Sequence, residues 1–288
     1  MKNHLYLPVI ACISSLLLID CAKASTEKYS NNPVSLVNHN KAIADQEIWA
    51  NVNYTKVIKL KSNDAAAYYN RAIAYAELKE YRKAIAELTK AIKLQPDFAP
   101  AYYNRGYVYA QLKEYQKALA DFTKAIQLQP DLVVAYNNRG NTYAELSDYQ
   151  KALADFTKAI QLDPDYAPAY NNRGNTYTYL KEYRKALADF TKALQMRPNH
   201  APTYNNRGTT YTYLKEYRKA LADYTKAIKL QPDYADAYFN RGIAYSELKN
   251  YQKAIADSQK AAQLFYQQGD MEGYQLAQGL LRDLRSNR

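Results

Sequence analysis

Proline stands at positions 96, 130, 164, 198 and 232 and glycine at 106, 140, 174, 208 and 242, so both recur every 34 residues. A fixed period of this size restricts a chain to an array of small supersecondary units, each stacked on the next. Aligned on these marks, six repeats span 65–98, 99–132, 133–166, 167–200, 201–234 and 235–268. Counted from the start of each repeat, Tyr stands at place 4, Gly or Ala at 8, Tyr at 11, Ala at 20, an aromatic or Leu at 24, Ala at 27 and Pro at 32. Repeat 1 departs with Ala72 at place 8, and repeat 6 with Ser258 at place 24 and Tyr266 at place 32.

These places read as helix faces. Places 4, 8 and 11 share one side of a first helix, and 20, 24 and 27 share one side of a second. Gly at place 8 and Ala at place 20 leave room for two helices in close contact, with the rings at 4, 11 and 24 filling the space around them. Proline at place 32 ends the second helix. Pro100, Pro168 and Pro202 open the first helix that follows, where a missing N–H is harmless. The 31 tyrosines and only 8 glycines leave little that favours loops, and no stretch alternates like a strand.

The pattern resembles the tetratricopeptide-repeat (TPR) family over the six repeats. The resemblance implies an all-α fold, a right-handed superhelical solenoid of stacked antiparallel helix pairs. It also implies a non-catalytic scaffold whose concave groove holds a protein or an extended peptide. Ends of such a stack need covers. Ala50, Tyr54, Val57 and Leu60 repeat the second-helix pattern, so 41–64 reads as an N-terminal half-repeat, preceded by a polar lead-in over 25–40. Tyr274, Ala277, Leu281 and Leu284 line one side of a capping helix within 269–288.

Residues 1–24 read as a signal peptide. Lys2 precedes an apolar run from Leu5 to Ile19, and Ala22-Lys23-Ala24 has the small-x-small pattern of a cleavage site. Cleavage after Ala24 would export the chain and remove both cysteines, Cys12 and Cys21. Membrane attachment is expected only where Cys21 is lipidated or the signal stays uncleaved, and Asp20 argues against lipidation because a small residue is wanted there.

Catalytic groupings are missing from the sequence. His4, His39 and His200 are isolated, and there is no phosphate loop, nucleophile elbow or metal-ligand spacing. No cofactor is expected, and the chain reads as a binding protein and not an enzyme.

Two polar rows remain. Arg71, Arg105, Arg139, Arg173, Arg207 and Arg241 at place 7 face acids at place 23, Glu87, Asp121, Asp155, Asp189, Asp223 and Asp257. The rows suit an interhelical ion-pair ladder, the alternative being separate solvated charges. The stripe at places 2, 6, 9 and 13, opposite the core face of the first helix, is expected to line the groove. Place 6 supplies Asn70, Asn104, Asn138, Asn172, Asn206 and Asn240, joined by Asn137, Asn171 and Asn205 at place 5. Asn141, Asn175, Tyr179 and Tyr213 complete the candidate partner-binding residues. Their amides can donate to and accept from a peptide backbone, and on a helical wheel the place-6 side chains point away from the core. A purely architectural asparagine row is the alternative. No Lys or Arg falls on the stripe, so the formal charge of +11 resides elsewhere. That placement, with the export signal, speaks against nucleic acid. Single-stranded RNA binding and a structural role in an envelope complex are the competing readings.

Overall fold

The computed structural model describes residues 64–286. Among them, every regular element is an α-helix. Two compact units divide between Ser147 and Asp148, within the third repeat. The first unit holds α1 (Ala65–Glu77), α2 (Tyr81–Leu94), α3 (Ala99–Gln111), α4 (Tyr115–Leu128) and α5 (Val133–Glu145). The second holds α6 (Tyr149–Leu162), α7 (Ala167–Tyr179), α8 (Tyr183–Met196), α9 (Ala201–Tyr213), α10 (Tyr217–Leu230), α11 (Ala235–Glu247), α12 (Tyr251–Gln267) and α13 (Met271–Ser286). Within each unit, a first helix packs on the second helix of its own repeat, and that second helix packs on the next first helix. The expected signal peptide, lead-in and half-repeat lie outside the described residues, apart from Asp64. Its carboxylate caps α1 by accepting from the Ala67 N–H at 2.7 Å.

Each core follows the small-residue logic. Ala118, Ala152, Ala186 and Ala220 at place 20 are fully buried, as are Phe122, Phe156 and Phe190 at place 24. The place-24 ring is what fills the space over place 8. A Cβ built on Gly174 would lie 2.8 Å from the Phe190 ring, and one on Gly208 would lie 2.7 Å from the Tyr224 ring. The tyrosines at places 4 and 11 do something else: they are half-buried beneath cations. Arg173 Cζ stands 5.6 Å from the Tyr170 ring centroid, and Lys185 Nζ stands 5.3 Å from that of Tyr177. Such placements add modest cation–π attraction and cover ring surface with aliphatic stem.

Five of the six first helices end in the same way, and that of repeat 3 shares the bond from Ser147 to the Ala144 carbonyl. In repeat 4 the Lys181 N–H bonds to the Thr178 carbonyl at 3.0 Å, and the Glu182 N–H bonds to the Tyr177 carbonyl at 2.8 Å. This paired closure needs a left-handed residue between helix and turn, a place glycine usually fills. Here it is Lys79, Lys113, Ser147, Lys181, Lys215 and Lys249, with φ between 58° and 61°. A side chain in that conformation costs on the order of 1 kcal/mol.

The C-terminal cap is built as expected. Gly269 has φ 75°, Asp270 accepts from the Gly273 N–H at 2.9 Å, and Ala277, Leu281 and Leu284 are buried. Gln275, Arg282 and Asp283 on the other side are exposed.

Candidate functional site

The arginine row forms the ladder, and the contact runs within a repeat. Arg105 Nε donates to Asp121 Oδ2 at 2.7 Å and Nη2 donates to Oδ1 at 2.8 Å, a two-pronged match of guanidinium to carboxylate. The same fork holds Arg173 to Asp189, Arg207 to Asp223 and Arg241 to Asp257, and Arg71 Nε reaches Glu87 at 2.7 Å. The third donor, Nη1, reaches back into the preceding repeat. Arg105 reaches Thr89, Arg139 reaches Thr123, Arg173 reaches Thr157, Arg207 reaches Thr191 and Arg241 reaches Thr225, each sixteen residues upstream and at 3.1–3.3 Å. One side chain therefore ties three helices. The place-25 threonines gave no signal of this in the sequence, because a hydroxyl on a polar helix face looks like any other surface residue.

The asparagine row requires a correction. These side chains do not all point away from the core: Asn104, Asn137, Asn138, Asn141 and Asn205 are buried, and Asn171, Asn172, Asn175, Asn206 and Asn240 are half-buried. Only Asn70 is exposed. The wheel compared place 6 with its own hairpin alone, whereas the preceding repeat packs against that side. Asn104 Nδ2 donates to the Tyr69 hydroxyl and Asn138 Nδ2 to the Tyr103 hydroxyl, both at 2.9 Å. In the second unit, Asn206 donates to Asn171 at 3.3 Å and Asn240 to Asn205 at 3.1 Å. Asn137 and Asn171 also donate to the adjacent Asn138 and Asn172. Place 6 of one repeat thus bonds to place 5 of the repeat before it, and these amides serve the stack first.

Place 9 is no more open than place 6, but place 13 is half-buried or exposed in every repeat. In the second unit, Tyr179 stacks on Tyr149 with centroids 5.9 Å apart, and Tyr213 stacks on Tyr183 at 5.6 Å. Burial pushes the Tyr213 hydroxyl up to about 12, with Tyr183 and Tyr179 adding to the shift, so it stays a neutral donor at neutral pH. Half-buried Asn175 and Thr209 accompany these rings, and Tyr217 donates to Glu247 at 2.9 Å. In the first unit, the corresponding contact is Tyr115 to Glu145 at 3.3 Å. Aromatic rings, one amide and a carboxylate edge can grip a chain segment by stacking and hydrogen bonds. Among the described residues, no group of three His, Cys, Asp or Glu could hold a metal ion.

His200 occupies place 34, where other repeats carry Phe98, Leu132, Tyr166 and Tyr234. Burial lowers its pKa, Arg197 adds to this, and Nδ1 lies 2.7 Å from Thr203 Oγ1. The folded state therefore resists protonation, while the unfolded chain takes a proton near the ordinary value of 6.5. Stability should fall as pH drops through that value, because the unfolded state then binds more protons. His200→Tyr should flatten the stability curve between about pH 7 and 5 in urea titrations, and equal slopes in the two proteins would refute the assignment.

Stacked helical hairpins tied by a recurring Arg–Asp–Thr node define a helical-repeat protein. Four successive stretches, 99–132, 133–166, 167–200 and 201–234, match a tetratricopeptide-repeat model. A TPR repeat model matches 74–113, and a further tetratricopeptide-repeat model matches 53–86 and 223–256. The chain belongs to the tetratricopeptide-repeat family. No curated protein matches it. Among solved structures, YrrB, described as a TPR protein with an unusual peptide-binding site, is 30% identical over 64% of this chain and 95% of its own, with a TM-score of 0.50. PilW, a type IV pilus biogenesis factor, is 24% identical over 73% of this chain and 96% of its own, with a TM-score of 0.66. The Cut9–Hcn1 hetero-tetramer of the APC/C gives a TM-score of 0.72 at 18% identity over 84% of this chain, which spans 46% of that one.

Proposed function

We propose that this chain is an exported, non-catalytic scaffold that holds an extended segment of a partner protein on its first-helix faces. The observation that carries the reading is the pair of rings Tyr179 and Tyr213 on a first-helix stripe free of Lys and Arg, each held by stacking on a second-helix tyrosine, Tyr149 and Tyr183. Rings held rigid by stacking lose little freedom on binding, which favours them as anchors. The likeness to a peptide-binding TPR protein supports the class of partner. Export rests on the apolar run and Ala-x-Ala pattern of residues 1–24. Because the place-5 and place-6 amides already bond to neighbouring repeats, recognition falls to places 9 and 13, with Asn175, Tyr179 and Tyr213 at its centre.

The test is selection from a displayed peptide library, followed by titration of the winning peptides against wild type and a Tyr179→Ala/Tyr213→Ala variant. Wild type should select peptides, and the variant should bind them at least about tenfold more weakly with its helix content unchanged. Raising salt should have only a modest effect on affinity, since the stripe is neutral to mildly acidic, with Glu77, Glu145 and Glu247 its main charges. Equal affinity in the variant, or tighter binding of single-stranded RNA than of any selected peptide, would overturn the reading.

A further inference from the structure

Lysine holds the left-handed backbone position in five of the six hairpin turns, where glycine would be free of strain. A strained residue repeated turn after turn points to a task for its side chain. In the second unit, Lys181, Arg184, Lys215, Arg218 and Lys249 are all exposed and enter no ion pair among the described residues. Lys185 and Lys219 are matched by Glu182 and Glu216, both at 2.5 Å. Asn250 stands where those acids would be, and Lys253, like Lys185 and Lys219, lies over a tyrosine ring, that of Tyr245 at 5.4 Å. Each of these three turns therefore carries more cations than acids.

Neighbouring turns stand side by side. A shallow open cleft of about 340 Å³ is lined by Lys215, Glu216, Tyr217, Arg218, Lys219 and Leu248 from successive turns, and Leu248 is 42% exposed. The opposite ends of the hairpins carry exposed Asp165, Asp233 and Asp270 against Arg197 and Lys229, so the excess of cations lies at the turn edge.

We propose that the hairpin-turn edge of the second unit docks on an anionic phospholipid surface. Cations on separate turn tips form an edge that meets a plane; they do not line a groove that could follow a nucleic-acid strand. Clusters of four to eight Lys and Arg are drawn to acidic headgroups, and long lysine stems let the charges reach them. Leu248 and the Tyr217 ring supply the apolar and amphipathic surface that settles at the headgroup level. No described helix is long and apolar enough to cross a bilayer, so the contact is peripheral. This edge meets the first-helix stripe only where Tyr217 bonds to Glu247, and the inference does not rest on peptide binding.

The test is co-sedimentation of the full chain with phosphatidylcholine vesicles containing about 30% phosphatidylglycerol, against phosphatidylcholine alone, at about 0.05 and 0.5 M salt. An apolar leader would bind both vesicles alike and cancels in the comparison. Wild type should prefer the anionic vesicles at low salt and lose the preference at high salt. A variant carrying Lys181→Gln, Arg184→Gln, Lys215→Gln, Arg218→Gln and Lys249→Gln should bind them at least about fiftyfold more weakly. A control carrying Lys158→Gln, Lys192→Gln, Lys226→Gln and Lys260→Gln on the second helices should stay within about threefold of wild type. No preference for anionic vesicles, an equal loss in both variants, or tighter binding of single-stranded RNA with the same dependence on these cations would each overturn the proposal.

Discussion

Gly174→Leu should destabilise the protein by about 3 kcal/mol, at the upper end of the usual overpacking range, because there is no free volume to receive the new side chain. The first added atom, Cβ, would already stand 2.8 Å from Cε1 of Phe190, a fully buried ring, and 3.0 and 3.1 Å from its neighbouring carbons. A buried aromatic cannot swing into solvent as a lysine tip could, so α7 and α8 must separate or the ring must leave its rotamer. Phe190→Ala alone should cost about 3 kcal/mol through the cavity it opens. Combined with Gly174→Leu it should cost clearly less than the sum, since the leucine enters the space the ring vacates. Gly279, where a Cβ meets nothing within 4 Å, provides the control: Gly279→Ala should be neutral or stabilise by up to about 1 kcal/mol, from helix propensity alone. Urea melts of the four variants decide this. Because a repeat is stabilised through its neighbours, hydrogen exchange in α9 should also quicken in Gly174→Leu. An unchanged melt would mean that the place-8 contact has been misread.

Much of this architecture is legible in the sequence because its signals are local. The proline at place 32, the alternation of Gly and Ala, and the apolar faces of each helix act within about thirty residues, so the helix pairs and their close contact can be read from one repeat. The pairing of Arg173 with Asp189 was readable for the same reason: both lie at the edge of faces already assigned. What could not be read is what depends on the neighbouring repeat. Asn206 meets Asn171, and Arg173 meets Thr157, only after stacking has brought successive hairpins into register. A helical wheel drawn for one hairpin shows the first of these as solvent-facing and the second as an ordinary surface hydroxyl. The lysines at place 15 fall on the inter-helix turn in the sequence, but their backbone conformation does not show there, because glycine is the usual mark of a left-handed closure and Lys181 carries none of that signal. The tyrosines at place 13 are legible as groove residues, but their stacking partners at place 17, Tyr149 and Tyr183, sit thirty residues upstream on second helices, and nothing within one hairpin points to them.

Asp189→Ala should cost about 3 kcal/mol, as much as the overpacked glycine, although the pair it breaks contributes far less than that when intact. Taking two charges from water is unfavourable, and their attraction inside the protein only roughly offsets it. The penalty appears when one partner goes and the other stays. With the carboxylate removed, Arg173 keeps its contact with Thr157 and its place near Tyr170, but two of its donors lose their acceptor at a site where its side chain is 17% exposed. Arg173→Leu should be similarly damaging, because Asp189, at 9% exposure, is left without its counter-charge. Replacing both residues by leucine should recover much of the loss, giving a coupling energy of at least about 1 kcal/mol in a double-mutant cycle. Thr157→Val, which removes only the third hydrogen bond, should cost nearer 1 kcal/mol. The exposed Lys185–Glu182 pair on the same repeat is the reference: its removal should change stability by less than about 1 kcal/mol and should be masked by salt. The Arg173–Asp189 coupling should survive about 0.5 M salt, because the pair is largely shielded from solvent ions. Strictly additive losses in the cycle, or a coupling erased by salt, would show that the row is a set of independent solvated charges and not the tie that fixes how each hairpin is set against the one before it.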